Sequence, residues 1–379
     1  MKKFRVGVAG VGFIGAVHIE QLRRLGNVEV VALAETQDFA GKAEALFVPK
    51  GYSDYREMID KGNLDCIHIC TGNNTHFEMA DYALDKGLHV VCEKPLTISV
   101  MEAEKLVKKA KEKGLINAVN YNCRFYPMAY QMREMVRAGE VGDVYTIHGG
   151  YLQDWLYLDT DYNWRLEPEI SGDSRAFSDI GTHWLDLVEF ITGLKVTEVL
   201  ADFAVFHKNR KKPLKPIETF SGMALRPEDY QAVPINTEDY ATVLFHFENG
   251  ARGCCNISQV FAGRKNQVLL SIGGSKCALH WDSENSNSLW VGRRETLNGE
   301  YVKDPSILKP ATKAITGFPG GHVEGFPETF KQNFIKIYGA IAAGKQIEGE
   351  YATFEDGLKE MIFCEKAIQS AKEKRWVKV

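Results

Sequence analysis

The sequence predicts an α/β protein of two domains, a doubly wound parallel sheet followed by a domain built on a mostly antiparallel sheet with one open face. Three observations carry this. A strand pattern from Arg5 to Ala9 runs straight into Gly10-Val-Gly12-Phe-Ile-Gly15, helical spacing covers Ile14 to Leu25, and a β pattern resumes at Val28 to Ala34, ending on Glu35. Strand and helix patterns then keep alternating as far as residue 124, the arrangement of parallel crossover units. Beyond it, longer alternating β segments take over, so domains of 1–124 and 125–379 are expected.

The first element is a dinucleotide-binding fingerprint. Gly10 permits the tight turn, Gly12 lets a pyrophosphate approach the backbone, and Gly15 lets the helix pack close. Phe13 lies in the glycine turn and Ile14 opens the helix, whose free N–H groups favour phosphate, so both are expected on the cofactor. Glu35 can accept from both ribose hydroxyls and would repel a ribose phosphate, so NAD is expected over NADP.

Further along, Phe39 to Phe47 and Tyr55 to Asp60 read as helices, and Asp65 to Cys70 as a strand running into Thr71-Gly-Asn-Asn-Thr-His76. Ligands of open α/β sheets sit beyond the carboxyl ends of the strands, which puts Thr71, Asn73 and His76 on the cofactor side. His76 also opens a predicted helix to Lys86 and can equally be its cap. The next strand, His89 to Cys92, ends in Glu93-Lys94-Pro95, leaving Glu93 and Lys94 at the rim of the same crevice. There an ammonium can stabilise an alkoxide as hydride leaves. A helix at Val100 to Lys113 and a strand at Ile116 to Asn120 lead into Asn122-Cys-Arg124-Phe125.

The second half opens with a helix at Met128 to Ala138 and a strand at Val144 to Gln153. Asp154 to Arg165 is irregular and aromatic, with Trp155, Tyr157, Tyr162 and Trp164, a composition suited to the apolar faces and hydroxyls of a sugar. Asp179-Ile-Gly-Thr-His183 precedes a predicted helix from Trp184 to Ile191, so Asp179 and His183 share one face by their spacing. A helix start favours neutral imidazole and the carboxylate favours imidazolium, which suits His183 to proton transfer. The bland alternative is a helix cap with a satisfied core histidine. Strands follow at Glu198 to Phe206, Ala241 to Phe247, Ala251 to Gln259, Gln267 to Ile272 and Lys276 to Trp281. Lys208 to Glu238 interrupts them and reads as a basic solvated loop. A loop carrying His322 precedes helices at Phe326 to Ala343 and Phe354 to Lys372.

The bulk properties narrow the function. A net charge of -4 in 379 residues offers no footprint for nucleic acid or anionic membrane. Nothing reads as a membrane span, and the basic start Met1-Lys-Lys is explained by the first strand that follows it, so a cytoplasmic protein is expected. Eight cysteines without CxxC spacing fit a reducing compartment. Cys66, His68 and Cys70 fall on one face of a strand, but Ile67 and Ile69 fill the other, as in a doubly buried parallel strand, so no metal is expected.

GVGFIG, CTGNNTH, EKP at Glu93 to Pro95, NCRF at Asn122 to Phe125, NWR at Asn163 to Arg165 and DIGTHWLD at Asp179 to Asp186 stand in a telling order. Over essentially its whole length the chain resembles the glucose-fructose oxidoreductase, inositol dehydrogenase and rhizopine-catabolism (Gfo/Idh/MocA) family. The resemblance implies an N-terminal Rossmann domain and a C-terminal α/β domain whose large open, predominantly antiparallel sheet makes a homo-oligomer, dimer or tetramer. It implies NAD(P)-dependent chemistry on sugars, cyclitols or their derivatives. By position, Lys94 matches the catalytic lysine, Asp179 the substrate-binding carboxylate and His183 the general acid/base. Arg124 and Arg165 match positions approaching nicotinamide or substrate, and Asn122 and Trp164 lie beside them in the same motifs. Asp154, Tyr157 and His322 complete the substrate set, since the DYNWR stretch and the PGGH loop resemble members acting on pyranosides, the levoglucosan and sugar 3-dehydrogenase branch. The chain departs from the pattern at Gly72, where proline is common, and at Asn120, where glycine is. Two rival functions accompany the resemblance: NAD-dependent glycoside cleavage without net redox change, and a dinucleotide-sensing regulator without catalysis.

Overall fold

The computed structural model describes residues 3–214 and 226–379; Met1 and Lys2 of the basic start and positions 215–225 of the basic excursion lie outside them. The described chain divides into two compact units, Met1–Tyr126 with Glu324–Met361, and Pro127–Val323 with Ile362–Val379.

The first unit alternates strand and helix as its pattern predicts: β1 (Phe4–Ala9), α1 (Phe13–Arg23), β2 (Val28–Ala34), α2 (Phe39–Ala45), β3 (Gly51–Tyr52), α3 (Tyr55–Lys61), β4 (Cys66–Ile69), α4 (Asn73–Asp85), β5 (His89–Cys92), α5 (Val100–Lys113) and β6 (Asn117–Val119). The strands form one six-stranded sheet in the order β3-β2-β1-β4-β5-β6, and its neighbouring strands all pair in parallel. All four residues of β4 are buried, so both faces of the strand are covered, as parallel sheets require. The order reverses between β1 and β4, which makes the ends of those two strands the switch point where such sheets bind ligands.

The second unit comprises α6 (Pro127–Arg137), β7 (Val144–Leu152), α7 (Pro168–Ser171), α8 (Thr182–Thr192), β8 (Val196–Ala204), β9 (Asn209–Pro213), β10 (Tyr230–Pro234), β11 (Tyr240–Phe247), β12 (Arg252–Ser258), β13 (Gln267–Gly274), β14 (Ala278–Asp282), β15 (Ser288–Gly292), β16 (Gly299–Val302) and α9 (Pro310–Ile315). Its main sheet runs β16-β15-β14-β13-β7-β12-β11-β8, with Val377–Lys378 added beyond β8. Only the β12–β7 pair is parallel among the described pairings of this sheet. Period-two alternation sorts the two faces. Phe245, Ile147, Ile272, Leu279 and Val291 align across the sheet and are buried, whereas the neighbouring row Leu244, Cys254, His148, Ser271, His280 and Trp290 looks outward.

Two expectations change. The expected division at 124/125 would leave the whole C-terminus in the second domain, but Glu324–Met361 groups with the first unit. The reason is a helix, α10 (Phe326–Ala343), whose Phe330 and Phe334 rings pack edge-on against His18 and whose Tyr338 ring stacks on His68. The excursion from Lys208 is not a solvated loop over its described part. β9 and β10 pair as an antiparallel ribbon, and Arg210 is fully buried against Asp239. The charge run concealed one buried cation among exposed ones, and net composition cannot separate the two.

Candidate active site

At the switch point of the first unit the three glycines have distinct surroundings. Gly10 sits at φ +79°, where a side chain is strained, and a Cβ there would strike Thr71 and the Cys70 backbone. A Cβ at Gly15 would strike the Gly10 carbonyl, so the helix start can approach the turn only because both are glycine. A Cβ at Gly12 would meet nothing within 4 Å. Gly12 is therefore not required by the packing of the chain itself, which fits a turn that must receive a phosphate group from outside. Phe13, 59% exposed, stacks at 6.4 Å on Phe326, and Ile14 lies beside it in the first turn of α1.

Glu35 follows β2 as the fingerprint requires. Its carboxylate accepts from the N–H groups of Val11 (3.1 Å) and Thr36 (2.9 Å), and pairs with Lys42 at 3.1 Å. Burial raises its pKa, but the Val11 N–H, Lys42 and the Thr36 N–H outweigh burial, and the group is held below the ordinary carboxylate range. It is thus an anion at neutral pH, held beside the glycine turn by the Val11 N–H.

Lys94 is half-buried at the end of β5, and its neighbour is anchored in depth. The Glu93 carboxylate accepts from His18 Nε2–H (2.9 Å), from Asn120 Nδ2–H (2.5 Å) and from the backbone N–H of Lys94 (3.2 Å). His18 Nδ1 is hydrogen-bonded to His68 Nδ1 at 2.8 Å, and His68 Nε2 is 2.9 Å from the Tyr338 hydroxyl. Asn333 Nδ2 donates to the Asn120 carbonyl at 2.9 Å. One buried polar chain therefore runs from Tyr338 to the turn that carries Lys94. Asn120, the departure from the family pattern, supplies one of its links. His68 spends both ring nitrogens here, which accounts for its face of β4 without a metal. Among the described residues no group of three or more His, Cys, Asp or Glu is arranged to hold one.

Burial would raise the Glu93 pKa, but His18 and Asn120 reverse the sign and hold it at about 2. A depressed carboxyl stabilises the fold fully above its unfolded value near 4.5 and loses that contribution as pH falls towards 2. Each tenfold difference in proton affinity between the folded and unfolded chains is worth about 1.4 kcal/mol. Glu93→Gln is expected to unfold with a flatter pH dependence between pH 4.5 and 2 than the parent. Urea titrations at several pH values read this, and parallel curves exclude the assignment.

Several expected cofactor-side residues are committed within the first unit. His76 is not the cap of its helix, because α4 begins three residues earlier at Asn73. Fully buried, it places Nδ1 2.8 Å from the Pro95 carbonyl and Nε2 3.2 Å from that of Thr71, joining the two loops at the strand ends. The Thr71 hydroxyl meets that of Thr75 at 2.7 Å, and Asn73 is buried in the first turn. Asn122 Nδ2 donates to Thr329 (2.7 Å), and Arg124, 4% exposed, faces Asp356 at 3.7 Å.

In the second unit Asp179 lies inside a π-helical turn, Phe177–Gly181, that runs without a break into α8. The helix accordingly starts near Ala176 rather than at Trp184, and His183 lies well inside it instead of at a terminus. No helix start therefore acts on its imidazole to favour the neutral form. What occupies the terminus is Glu238, whose Oε1 accepts from Ser174 Oγ (2.7 Å), Arg175 N–H (2.9 Å) and Phe177 N–H (2.9 Å). π-turns widen a helix locally and recur at functional sites.

Asp179 is nearly buried, accepts from Gln259 Nε2 at 3.0 Å and forms an ion pair with Arg165 Nε at 3.1 Å. The Arg165 guanidinium lies over the Trp164 ring, 4.5 Å from its centroid. His183, 7% exposed, has its ring 6.0 Å from that of Tyr151. Asp154 accepts from Lys265 Nζ (2.6 Å) and the Gly263 N–H (3.1 Å), Tyr157 is 46% exposed, and His322 lies on an exposed turn against the Gly320 carbonyl. The structure thus brings Asp179 together with Arg165 and with Gln259, which sequence reasoning missed. Gln259 carries no local signal beyond standing at the end of a strand. His18, Glu238 and Asp239 were missed likewise, because each acts across 60 or more residues on a partner or across the ribbon and no spacing rule reaches that far.

Comparison with known proteins places the chain in a family. Residues 4–121 match the family model described as oxidoreductase family, NAD-binding Rossmann fold, and residues 130–280 match the GFO/IDH/MocA C-terminal domain. The chain is 25% identical to levoglucosan dehydrogenase of Pseudarthrobacter phenanthrenivorans, covering 100% of this chain and 99% of that protein. It is 29% identical to myo-inositol 2-dehydrogenase of Thermotoga maritima, covering 99% and 98%. Among solved structures, an oxidoreductase domain protein from Kribbella flavida superposes with a TM-score of 0.89 at 29% identity and full coverage of both chains. Levoglucosan dehydrogenase in complex with NADH and L-sorbose shares the fold, with a TM-score of 0.89 at 24% identity, covering 100% and 99%. With both of its halves matched in order to one family's two domains, the chain belongs to the Gfo/Idh/MocA oxidoreductases.

Proposed function

We propose that the protein is an NAD-dependent dehydrogenase acting on a ring hydroxyl of a sugar, sugar derivative or cyclitol, with a pyranoside favoured. The observation that carries the reading is Lys94, presented at a strand end of the NAD-binding unit on a turn anchored by Glu93 to a buried polar chain. Such anchoring gives the ammonium a fixed base. Similarity over the whole chain to a levoglucosan dehydrogenase and an inositol dehydrogenase supports the substrate class.

Bound NAD supplies the acceptor for a hydride. Gly10, Gly12, Gly15 and the N–H groups at Phe13 and Ile14 would hold its pyrophosphate, and Glu35 its ribose. His183 takes the hydroxyl proton as the C–H bond gives up its electron pair, and Lys94 stabilises the alkoxide that forms. The substrate loses two electrons and two hydrogens and becomes a ketone. Asp179, fixed by Arg165 and Gln259, accepts from a neighbouring hydroxyl and orients the ring. Reduction follows the same steps in reverse.

No helix of the described residues is long and apolar enough to cross a membrane, and a cytoplasmic location fits the eight cysteines, none of which forms a disulfide. The outward row carrying Leu244 and Trp290 supports a homo-oligomer formed through the open face of the second sheet. NADH formation measured over a panel of pyranosides and cyclitols tests the reading. Sugar-dependent accumulation of NADH is expected; glycoside cleavage without it, or NAD binding with no turnover of any sugar, rejects a dehydrogenase.

A further inference from the structure

The loop Asp154–Glu167 carries Tyr157, Trp164 and Arg165, yet its only regular element is the short turn Trp164–Leu166. A surface loop of this length and composition is ordinarily mobile. Here it is bound along one side by the β9–β10 ribbon. Arg210, fully buried, donates through Nη1 to the carbonyls of Leu158 (2.8 Å) and Asp161 (3.2 Å), and through Nη2 to that of Leu156 (2.8 Å). Its Nη2 also donates to Asp239 Oδ1 at 2.8 Å, where Arg175 binds the same carboxylate oxygen from the segment leading to Asp179.

The ribbon adds contacts on either side of this centre. Lys211 N–H donates to the Asp159 carbonyl at 2.8 Å, His207 Nε2–H to that of Tyr157 at 2.9 Å, and Lys212 pairs with Glu167 at 2.7 Å. Beneath them Leu156, Leu166 and Ile235 form a small buried apolar cluster with Tyr162, Val205 and Val233 against it. Backbone carbonyls of a loop ordinarily take their hydrogen bonds from water. Here a single guanidinium fork takes three of them, a geometry that lysine cannot copy.

We propose that the β9–β10 ribbon is a clamp that sets the substrate-facing loop, with Arg210 as its positioning residue and the affinity for the sugar as its output. The link to the chemistry is Arg165, which the loop delivers to Asp179 at 3.1 Å. The inference rests on the dehydrogenase reading above, because the loop is taken to face the sugar. A loose loop spreads Tyr157 and Arg165 over many arrangements, and the substrate must select the competent fraction, so the apparent KM rises in inverse proportion to that fraction.

The test uses the full-length holoenzyme. Arg210→Met is expected to raise the sugar KM about tenfold, leave kcat within about threefold, and leave the KM for NAD unchanged. His207→Ala, which removes an exposed anchor and spares the buried Arg210–Asp239 pair, is expected to raise the sugar KM about threefold by the same route. Hydrogen exchange read on peptides spanning 154–167 is expected to accelerate in both variants, and needs no substrate. Unchanged exchange in both variants overturns the clamp. Faster exchange with an unchanged sugar KM overturns its role in recognition. If the parent protein oxidises no sugar, the dehydrogenase reading fails with the recognition role, whereas the exchange result still decides whether the ribbon holds the loop.

Discussion

Lys94→Ala is expected to lower kcat by about three orders of magnitude, the loss that follows removal of one preorganised donor from a developing oxyanion together with its share of positioning. NADH affinity stays within about twofold, because the pyrophosphate and ribose contacts proposed for Gly10, Gly12, Gly15 and Glu35 do not include the ammonium. The substitution also spares the fold. Lys94 is half-buried, and its backbone N–H, which donates to Glu93, survives in alanine. Lys94→Arg is expected to recover little, since the planar guanidinium cannot place a compact point charge at the same spot. Stopped-flow measurement of hydride transfer with a saturating sugar, beside NADH titration by fluorescence, separates the two quantities. Turnover within tenfold of the parent removes Lys94 from the mechanism. A parallel loss of NADH binding reassigns it to the cofactor.

The legible parts of this molecule were those whose causes are local. The β1–α1–β2 unit could be read because glycine geometry, helix periodicity and the acid at Glu35 all act within some thirty residues, and the structure keeps each where the pattern put it. Alternation placed β7, β8 and β11 to β14 to within about two residues for the same reason. The hidden parts depend on pairs distant in sequence. α10 joins the first unit because Tyr338 meets His68 across 270 positions, and Arg175 meets Asp239 across 64. No local periodicity encodes such a partner. The helix that carries Asp179 starts earlier than Trp184 because Glu238, some sixty residues away in sequence, accepts from Ser174 and the Arg175 N–H at its terminus. A buried arginine, finally, looks in sequence like any other member of a basic run. Arg210 differs from Lys211 and Lys212 only in that Asp239 and three carbonyls await it.

His183→Ala is the second substitution with a large expected effect, a fall in kcat of about 10²- to 10⁴-fold, the usual contribution of a positioned base. Its pH dependence distinguishes a base from a packing residue. A histidine must be neutral to take the hydroxyl proton, so in the direction of oxidation the parent's kcat/KM rises with pH through the imidazole titration, and in reduction, where the same group must donate, it falls. The variant should lose both limbs and regain rate on addition of free imidazole, which a cavity defect in α8 would not do. Asp179→Asn supplies the contrast. Its carboxylate already accepts from Gln259 and faces Arg165, so the amide weakens an orienting contact and is expected to raise the sugar KM more than it lowers kcat. If both variants changed KM alone and the pH profile kept its shape, His183 and Asp179 would both be binding residues.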